Sequence, residues 1–212
     1  MAILSMKNVG FTYDNTGIEV LKNTNIDFEK GKFYAIIGKS GSGKSTFLGL
    51  LAGLDEPTSG EILVDKINIA AMGYTNHRKN NIALVFQSYN LIDYLTPIEN
   101  LKLVNSKAEV AILEKMGLDK SIAGRSIMHL SGGQQQRVAI GRALASEAPI
   151  ILADEPTGNL DEETAADIIK ILQKAAHDEG KCVIVVTHSD VLAKSADIIY
   201  QLKDKTLVKK GK

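Results

Sequence analysis

The sequence predicts an α/β fold with a mainly parallel core, an antiparallel β region before it and a small helical insertion within it. Three observations predict this. Continuously apolar runs such as Phe33-Tyr34-Ala35-Ile36-Ile37 and Ile82-Ala83-Leu84-Val85-Phe86 read as strands covered on both faces. Helix and strand signals alternate through the second half of the chain. Between the halves, from Thr96 to about Ala123, the pattern turns helical.

Taken in order, segments 3–13 and 18–29 carry the β-branched and aromatic residues of strands, and Gly31-Lys32 turns the chain into strand 33–37. A glycine-rich loop and a helix from about Lys44 to Ala52 follow, with Gly53 as its stop. Asp55-Glu56-Pro57-Thr58-Ser59-Gly60 reads as loop, and strand 82–86 ends before Gln87. Thr96-Pro97-Ile98-Glu99 combines an N-cap, a first-turn proline and a capping-box glutamate. Ser106-Lys107-Ala108-Glu109 repeats that capping pattern, and Gly117 closes the second helix. Helix 133–146, strand 149–154, helix 162–179 ending at Gly180, strand 182–187, a short helix after Ser189 and a hairpin over 197–209 complete the reading.

At 212 residues the chain suffices for one well-buried core. Its 25 basic and 25 acidic side chains cancel, so net charge recruits neither nucleic acid nor an anionic membrane surface. No apolar stretch approaches the roughly 18 residues that span a bilayer, and the first residues carry no signal-peptide pattern. A membrane role would need another chain to supply the span. The single cysteine, Cys182, sits in the apolar run Cys182-Val183-Ile184-Val185-Val186 and is expected to be a small buried hydrophobe.

Gly38-Lys39-Ser40-Gly41-Ser42-Gly43-Lys44-Ser45, followed by Thr46, fits the phosphate-binding loop of nucleotide enzymes. Its glycines let successive backbone N–H groups point into one anion-sized hollow. The loop opens a helix, whose N-terminal donors and dipole favour negative charge. Lys44 can reach the β- and γ-phosphates, and the Ser45 hydroxyl is placed for magnesium. More than a hundred residues later, Ile150-Ile151-Leu152-Ala153-Asp154-Glu155 is an apolar strand ending in two acids. Asp154 suits a magnesium that bridges phosphate oxygens, and Glu155 suits orienting and deprotonating an attacking water. Many strands end in solvated charge, so the acids gain meaning only beside the loop.

Leu130-Ser131-Gly132-Gly133-Gln134 distinguishes among such enzymes. With Gln135-Gln136-Arg137-Val138-Ala139-Ile140-Gly141-Arg142-Ala143-Leu144 and Asp154-Glu155-Pro156-Thr157-Gly158-Asn159-Leu160-Asp161, the chain resembles the ABC ATPase family along essentially its whole length. The resemblance implies a P-loop NTPase with a RecA-like, mainly parallel core, an N-terminal antiparallel β subdomain and a small helical insertion. One ATPase domain would span 1–212, with the α/β core at about 1–87 and 145–212 and the helical subdomain at about 88–144.

Ser131 and the glycines at a helix N-terminus form a second anion site. The resemblance implies its use: two copies pack head to tail, and Ser131, Gly132, Gly133 and Gln134 of each cap the ATP held by the other's loop. A plain helix-capping loop is the bland alternative. The resemblance further implies that Tyr13 lies against adenine, that Gln87 contacts magnesium, that His188 hydrogen-bonds the γ-phosphate and that Asp161 crosses the interface. A surface strand aromatic, a core imidazole and a helix N-cap are the plain readings of Tyr13, His188 and Asp161.

The resemblance also implies Mg-ATP as substrate and an integral membrane permease as partner, with the chain on the cytoplasmic face. The permease would dock on the insertion and on 88–96, where Leu91, Ile92, Tyr94 and Leu95 either line the groove or fill the helical core. His129 and Ile127 depart from the Glu or Gln and the proline usual there, on the transmission surface. The wording is most similar to a bacterial subgroup serving macrolide and antimicrobial-peptide export, lipoprotein release and cell-division signalling. A regulatory module acting on a cell-envelope partner without transport uses the same residues. DNA-maintenance relatives carry long coiled coils and translation factors two cassettes, and this chain shows neither, so no nucleic-acid partner is expected.

Overall fold

The computed structural model describes residues 1–158 and 160–211; Asn159, from the run after the paired acids, and Lys212 lie outside the described residues. Strands β1 (Ala2–Thr12) and β2 (Glu19–Glu29) pair antiparallel and are followed by β3 (Phe33–Ile37) and α1 (Lys44–Ala52). Gly53, at φ 66, gives α1 the left-handed cap that a side chain resists. Strands β4 (Ser59–Val64) and β5 (Ile67–Asn68) complete a four-stranded antiparallel sheet in the order β2-β1-β4-β5. Helices α2 (Ile69–Met72) and α3 (Tyr74–Asn81) lead to β6 (Ile82–Val85).

The insertion holds α4 (Pro97–Lys102), α5 (Val110–Lys115), 3₁₀ turns at Lys120–Ile122 and Ile127–His129, and α6 (Gly132–Ala145). Then come β7 (Ile150–Asp154), α7 (Glu162–His177), β8 (Cys182–Thr187), α8 (Asp190–Lys194), β9 (Ile198–Lys203) and β10 (Thr206–Lys210). The larger sheet runs β10-β9-β3-β8-β7-β6, parallel except at the β9–β10 hairpin.

Two expectations need correction. The stretch 55–60 is not all loop: Ser59 and Gly60 begin β4, because Gly60 at φ 77 accommodates an edge where a Cβ would run into the Lys7–Asn8 backbone. Ser106 does not cap a helix. The Asn105 side chain instead takes the Lys107 N–H at 3.0 Å, forming a turn, and α5 starts later with Glu109 at its N-cap. At Thr96 the expected capping box is formed, with Glu99 accepting the Thr96 N–H at 2.8 Å.

The larger sheet is buried on both faces, which explains its uninterrupted apolar runs. One face packs Val85, Ala153 and Val185 against Leu101, Leu113, Val138, Ile168 and Leu172 of the helices. The other packs Ile36, Leu152 and Ile184 against α1 and the small sheet through Phe28, Phe47 and Leu50. Phe28 meets Tyr34 edge to face at 4.9 Å, and the Tyr34 hydroxyl accepts the Glu29 N–H at 2.9 Å. Cys182 is a fully buried free thiol, and burial pushes its pKa up to about 12. Buried His77 bonds the Leu51 carbonyl at 2.9 Å through Nε2, and burial holds its pKa down. Among the described residues no helix is long and apolar enough to cross a membrane.

Register positions the site. Ile37 pairs with Thr187, and Val186 with Asp154, so β3, β7 and β8 end side by side, and β6 pairs with β7 up to Val85–Ala153. In parallel α/β sheets the carboxyl ends of the strands are where ligands are met.

Candidate functional site

At those strand ends lies a cleft of about 780 Å³. Its floor is the loop 38–43 and the first turn of α1, which is Lys44-Ser45-Thr46. Gly41 at φ 74 and Gly43 at φ 96 hold left-handed conformations, and a Cβ on Gly43 would run into Val20 Cγ1. Backbone, not side chain, therefore faces the cleft there. Ser40, Gly41, Gly43, Lys44, Ser45 and Thr46 line it. The Lys44 ammonium bonds the Gly38 and Lys39 carbonyls at 3.0 and 3.3 Å. Gly38 is needed for closeness, because a Cβ there would lie 2.6 Å from Ser42 Oγ.

Gln87, Asp154, Glu155 and His188 line the opposite wall. Burial and then neighbouring Glu155 push the Asp154 pKa upward, while the nearby Ser45 hydroxyl and Lys44 charge pull the other way. Glu155 sits at φ 45, in the left-handed region, with its N–H donating to the Val186 carbonyl at 3.0 Å. Its carboxylate is only 11% exposed. Oε1 lies 2.8 Å from His188 Nδ1, while Oε2 accepts the Thr187 hydroxyl at 2.9 Å and the His188 N–H at 3.2 Å. A strained backbone held by several contacts marks a functional position.

Tyr13 stands at the mouth of the cleft, 42% exposed. Its ring meets Phe11 edge to face at 5.0 Å, and its hydroxyl lies 2.7 Å from Thr46 Oγ1, so it is tied to the phosphate loop rather than loose on a strand surface.

Ser131, Gly132, Gly133, Gln134 and Asp161 do not line this cleft. Ser131, Gly133 and Gln134 border a separate cavity of about 290 Å³ together with Arg137 and Thr164. Ser131 caps α6: its Oγ accepts the Gln134 N–H at 3.3 Å, and Gln134 Oε1 accepts the Ser131 N–H at 3.0 Å. Asp161 caps α7, taking the N–H and the hydroxyl of Thr164, both at 2.9 Å. The plain capping readings of these two residues hold within one copy.

After Gln87, Tyr89 and Asn90 lie at φ 61 and 49, and Arg142 on α6 donates to their carbonyls at 3.3 and 2.7 Å. Leu91 packs on the helical core, while Tyr94 is 87% exposed. A neighbouring groove of about 460 Å³ is lined by exposed Leu103 and Val104 with Arg78, Lys79, Asn90 and Arg142. Ile127 is buried in its 3₁₀ turn.

Sequence reasoning missed Ile18 and Val20, which line the cleft, and Thr187 and Arg142, which hold Glu155 and the turn after Gln87. Strand alternation after Gly17 was a signal for the first two. Thr187 had none, since a threonine ending an apolar strand reads as β-branched core.

A glycine loop opening a helix, facing an acid pair at a neighbouring strand end, defines a nucleoside-triphosphatase of the P-loop class. The family model described as ABC transporter matches residues 21–158, and the chain belongs to that family as an ATP-hydrolysing subunit. The uncharacterized ABC transporter ATP-binding protein YclH of Bacillus subtilis is 43% identical over 95% of this chain and 94% of its own. The lipoprotein-releasing system ATP-binding protein LolD of Rickettsia bellii is 40% identical over 95% of each. Among solved structures, the MJ0796 cassette in a dimeric, post-hydrolysis state bound to ADP and Pi superposes with a TM-score of 0.88, 39% identity and coverage of 98% and 97%.

Proposed function

We propose that two copies of this chain close head to tail around two Mg-ATP molecules, and that this closure drives a separate membrane permease. The observation that carries the reading is a division of labour: one copy's cleft gathers the loop, both acids, Gln87 and His188, while Ser131–Gln134 occupies another surface. Each site is then completed by the partner's signature corner. The dimeric, ADP- and Pi-bound MJ0796 cassette supports the pairing of two copies.

In this reading the loop of Gly38, Lys39, Ser40, Gly41, Ser42 and Gly43 cradles the β-phosphate, the Ser42 N–H bracing it on the Lys39 carbonyl at 3.1 Å, and Thr46 and Tyr13 border the nucleoside side. Lys44 neutralises charge on the transferring phosphoryl. Glu155 takes the proton of the attacking water, and His188 stands beside it. Ser131, Gly132, Gly133 and Gln134 of the second copy supply amides to the γ-phosphate, and Asp161 lies at the seam.

The residues fit a magnesium ion. Asp154, made costly to ionise by burial, is the kind of carboxylate that a dication relieves, and Ser45 and Gln87 border the same cleft. One carboxylate with neutral oxygens and phosphates suits magnesium; bound there, it would neutralise charge on the β- and γ-oxygens.

The permease would seat on the groove of Leu103, Val104, Arg78 and Arg142, which adjoins the turn after Gln87. We read 1–212 as a single ATPase unit held on the cytoplasmic face of the membrane through that permease. The likeness to LolD supports export or force transmission as the task.

Glu155→Gln tests the mechanism. It should bind ATP as the wild type does, lose turnover by about 10²–10⁴-fold and accumulate as an ATP-bound dimer on a sizing column. A variant that stays monomeric in saturating Mg-ATP and still hydrolyses normally overturns the reading.

A further inference from the structure

We propose that Thr187 is a positioning residue for hydrolysis: it holds Glu155 so that one carboxylate oxygen, Oε1, is left to meet the attacking water. The inference rests on the reading of Glu155 as the base.

Thr187 ends β8 and is wholly buried. Its hydroxyl oxygen accepts the Ser189 N–H at 3.0 Å and lies 2.9 Å from Glu155 Oε2. An amide N–H only donates, so the hydroxyl's single proton is directed at the carboxylate. Oε2 also accepts the His188 N–H at 3.2 Å. Two donors fill its two lone pairs. Among the described residues Oε1 meets one donor, His188 Nδ1 at 2.8 Å, which leaves one acceptor position for a water.

The backbone cannot turn away to compensate. Glu155 is pinned at φ 45 by its N–H bond to Val186, the residue before Thr187. The chain therefore dictates which oxygen acts. As the water oxygen bonds to the γ-phosphorus, the bond to the β,γ-bridging oxygen breaks, its electron pair leaves on ADP, and the water's proton passes to Oε1. Without the Thr187 donor, Oε2 regains a free lone pair and the carboxylate can rotate, so fewer bound complexes are aligned for attack. Nucleotide contacts are untouched.

The test compares kcat and the ATP KM of T187V, T187S and E155Q. T187V keeps shape and volume but removes the donor to Glu155, and with it the acceptor of the Ser189 N–H; kcat should fall about 10–100-fold, the worth of one hydrogen bond to a charged group, with KM within about twofold. T187S restores the donor and should return kcat to within about threefold of wild type. If T187V fails to bind ATP, T187A takes its place. Wild-type kcat in T187V beside an inactive E155Q overturns the positioning role and leaves the base intact. A change confined to KM, or a T187S as slow as T187V, likewise overturns it, since shape rather than the hydroxyl would then matter. Normal turnover in E155Q removes the base itself, and this inference with it.

Discussion

The phosphate-loop cleft and the signature corner are both helix N-termini rich in glycine, yet they are built differently. The cleft draws on β3, β6, β7 and β8, whose carboxyl ends the parallel register places side by side. It contains a cation and two acids, one of them a strained glutamate. The signature corner is local. Its serine and glutamine bond each other across one turn, and Arg137, which borders the same cavity, is spent on Asp167 at 2.9 Å and the Met116 carbonyl at 2.8 Å. Amides alone can cap a triphosphate already held but offer little to capture one. The contrast supports the proposed division, in which one surface binds and the other completes.

Single variants can break that comparison. Lys44→Ala should weaken ATP binding by about 10–100-fold, the loss of charge-assisted bonds to phosphate, measurable with a fluorescent nucleotide. Ser131→Arg should leave binding to the monomer within about twofold and abolish the ATP-driven dimer and turnover, because a bulky cation obstructs the capping surface without touching the cleft. Weakened monomer binding in Ser131→Arg would mean that the corner serves its own copy's nucleotide.

A smaller effect sharpens the claim that the cleft stands on a preformed scaffold. Asp197, before β9, accepts the Phe33 N–H at 2.8 Å and bonds His177 Nε2 at 3.0 Å, anchoring the strand that feeds the phosphate loop. Burial raises its pKa, but the Phe33 and His177 bonds outweigh this and leave it lowered. A carboxyl whose folded pKa lies below its unfolded value adds stability above the ordinary carboxylate range, and loses it as pH falls through the folded pKa. Asp197→Asn should lower Tm near neutral pH by about 2–4 °C, for a loss of about 1 kcal/mol. The gap to wild type should close in acid, with ATP affinity unchanged throughout.

The two surfaces also differed in how far the amino-acid sequence disclosed them. The cleft was legible because its chemistry is written in residue types: glycines where backbone must approach an anion, and acids at the end of an apolar strand. The signature corner was legible in part: physics alone read Ser131 and its glycines as a second anion site or a plain helix cap, its use by another copy came only through resemblance, and within one copy Ser131 is a cap. The region 59–81 escaped notice because β5 and α2 are very short and α3, Tyr74–Asn81, is almost entirely polar. Ser106 misled because a capping pattern does not say whether Asn105 will claim the backbone first. Thr187 and Arg142 act through bonds to partners 32 and 52 residues away, a distance no local pattern spans.

The central claim, that each ATP is completed by two copies, is tested most directly by mixing Lys44→Ala with Ser131→Arg, each inactive alone. In a mixed head-to-tail dimer, one site joins the intact loop of the second variant to the intact signature of the first. Mixing should restore magnesium-dependent ATP hydrolysis, rising with the fraction of mixed dimers. A mixture as inactive as its components, although mixed dimers form, would contradict the account.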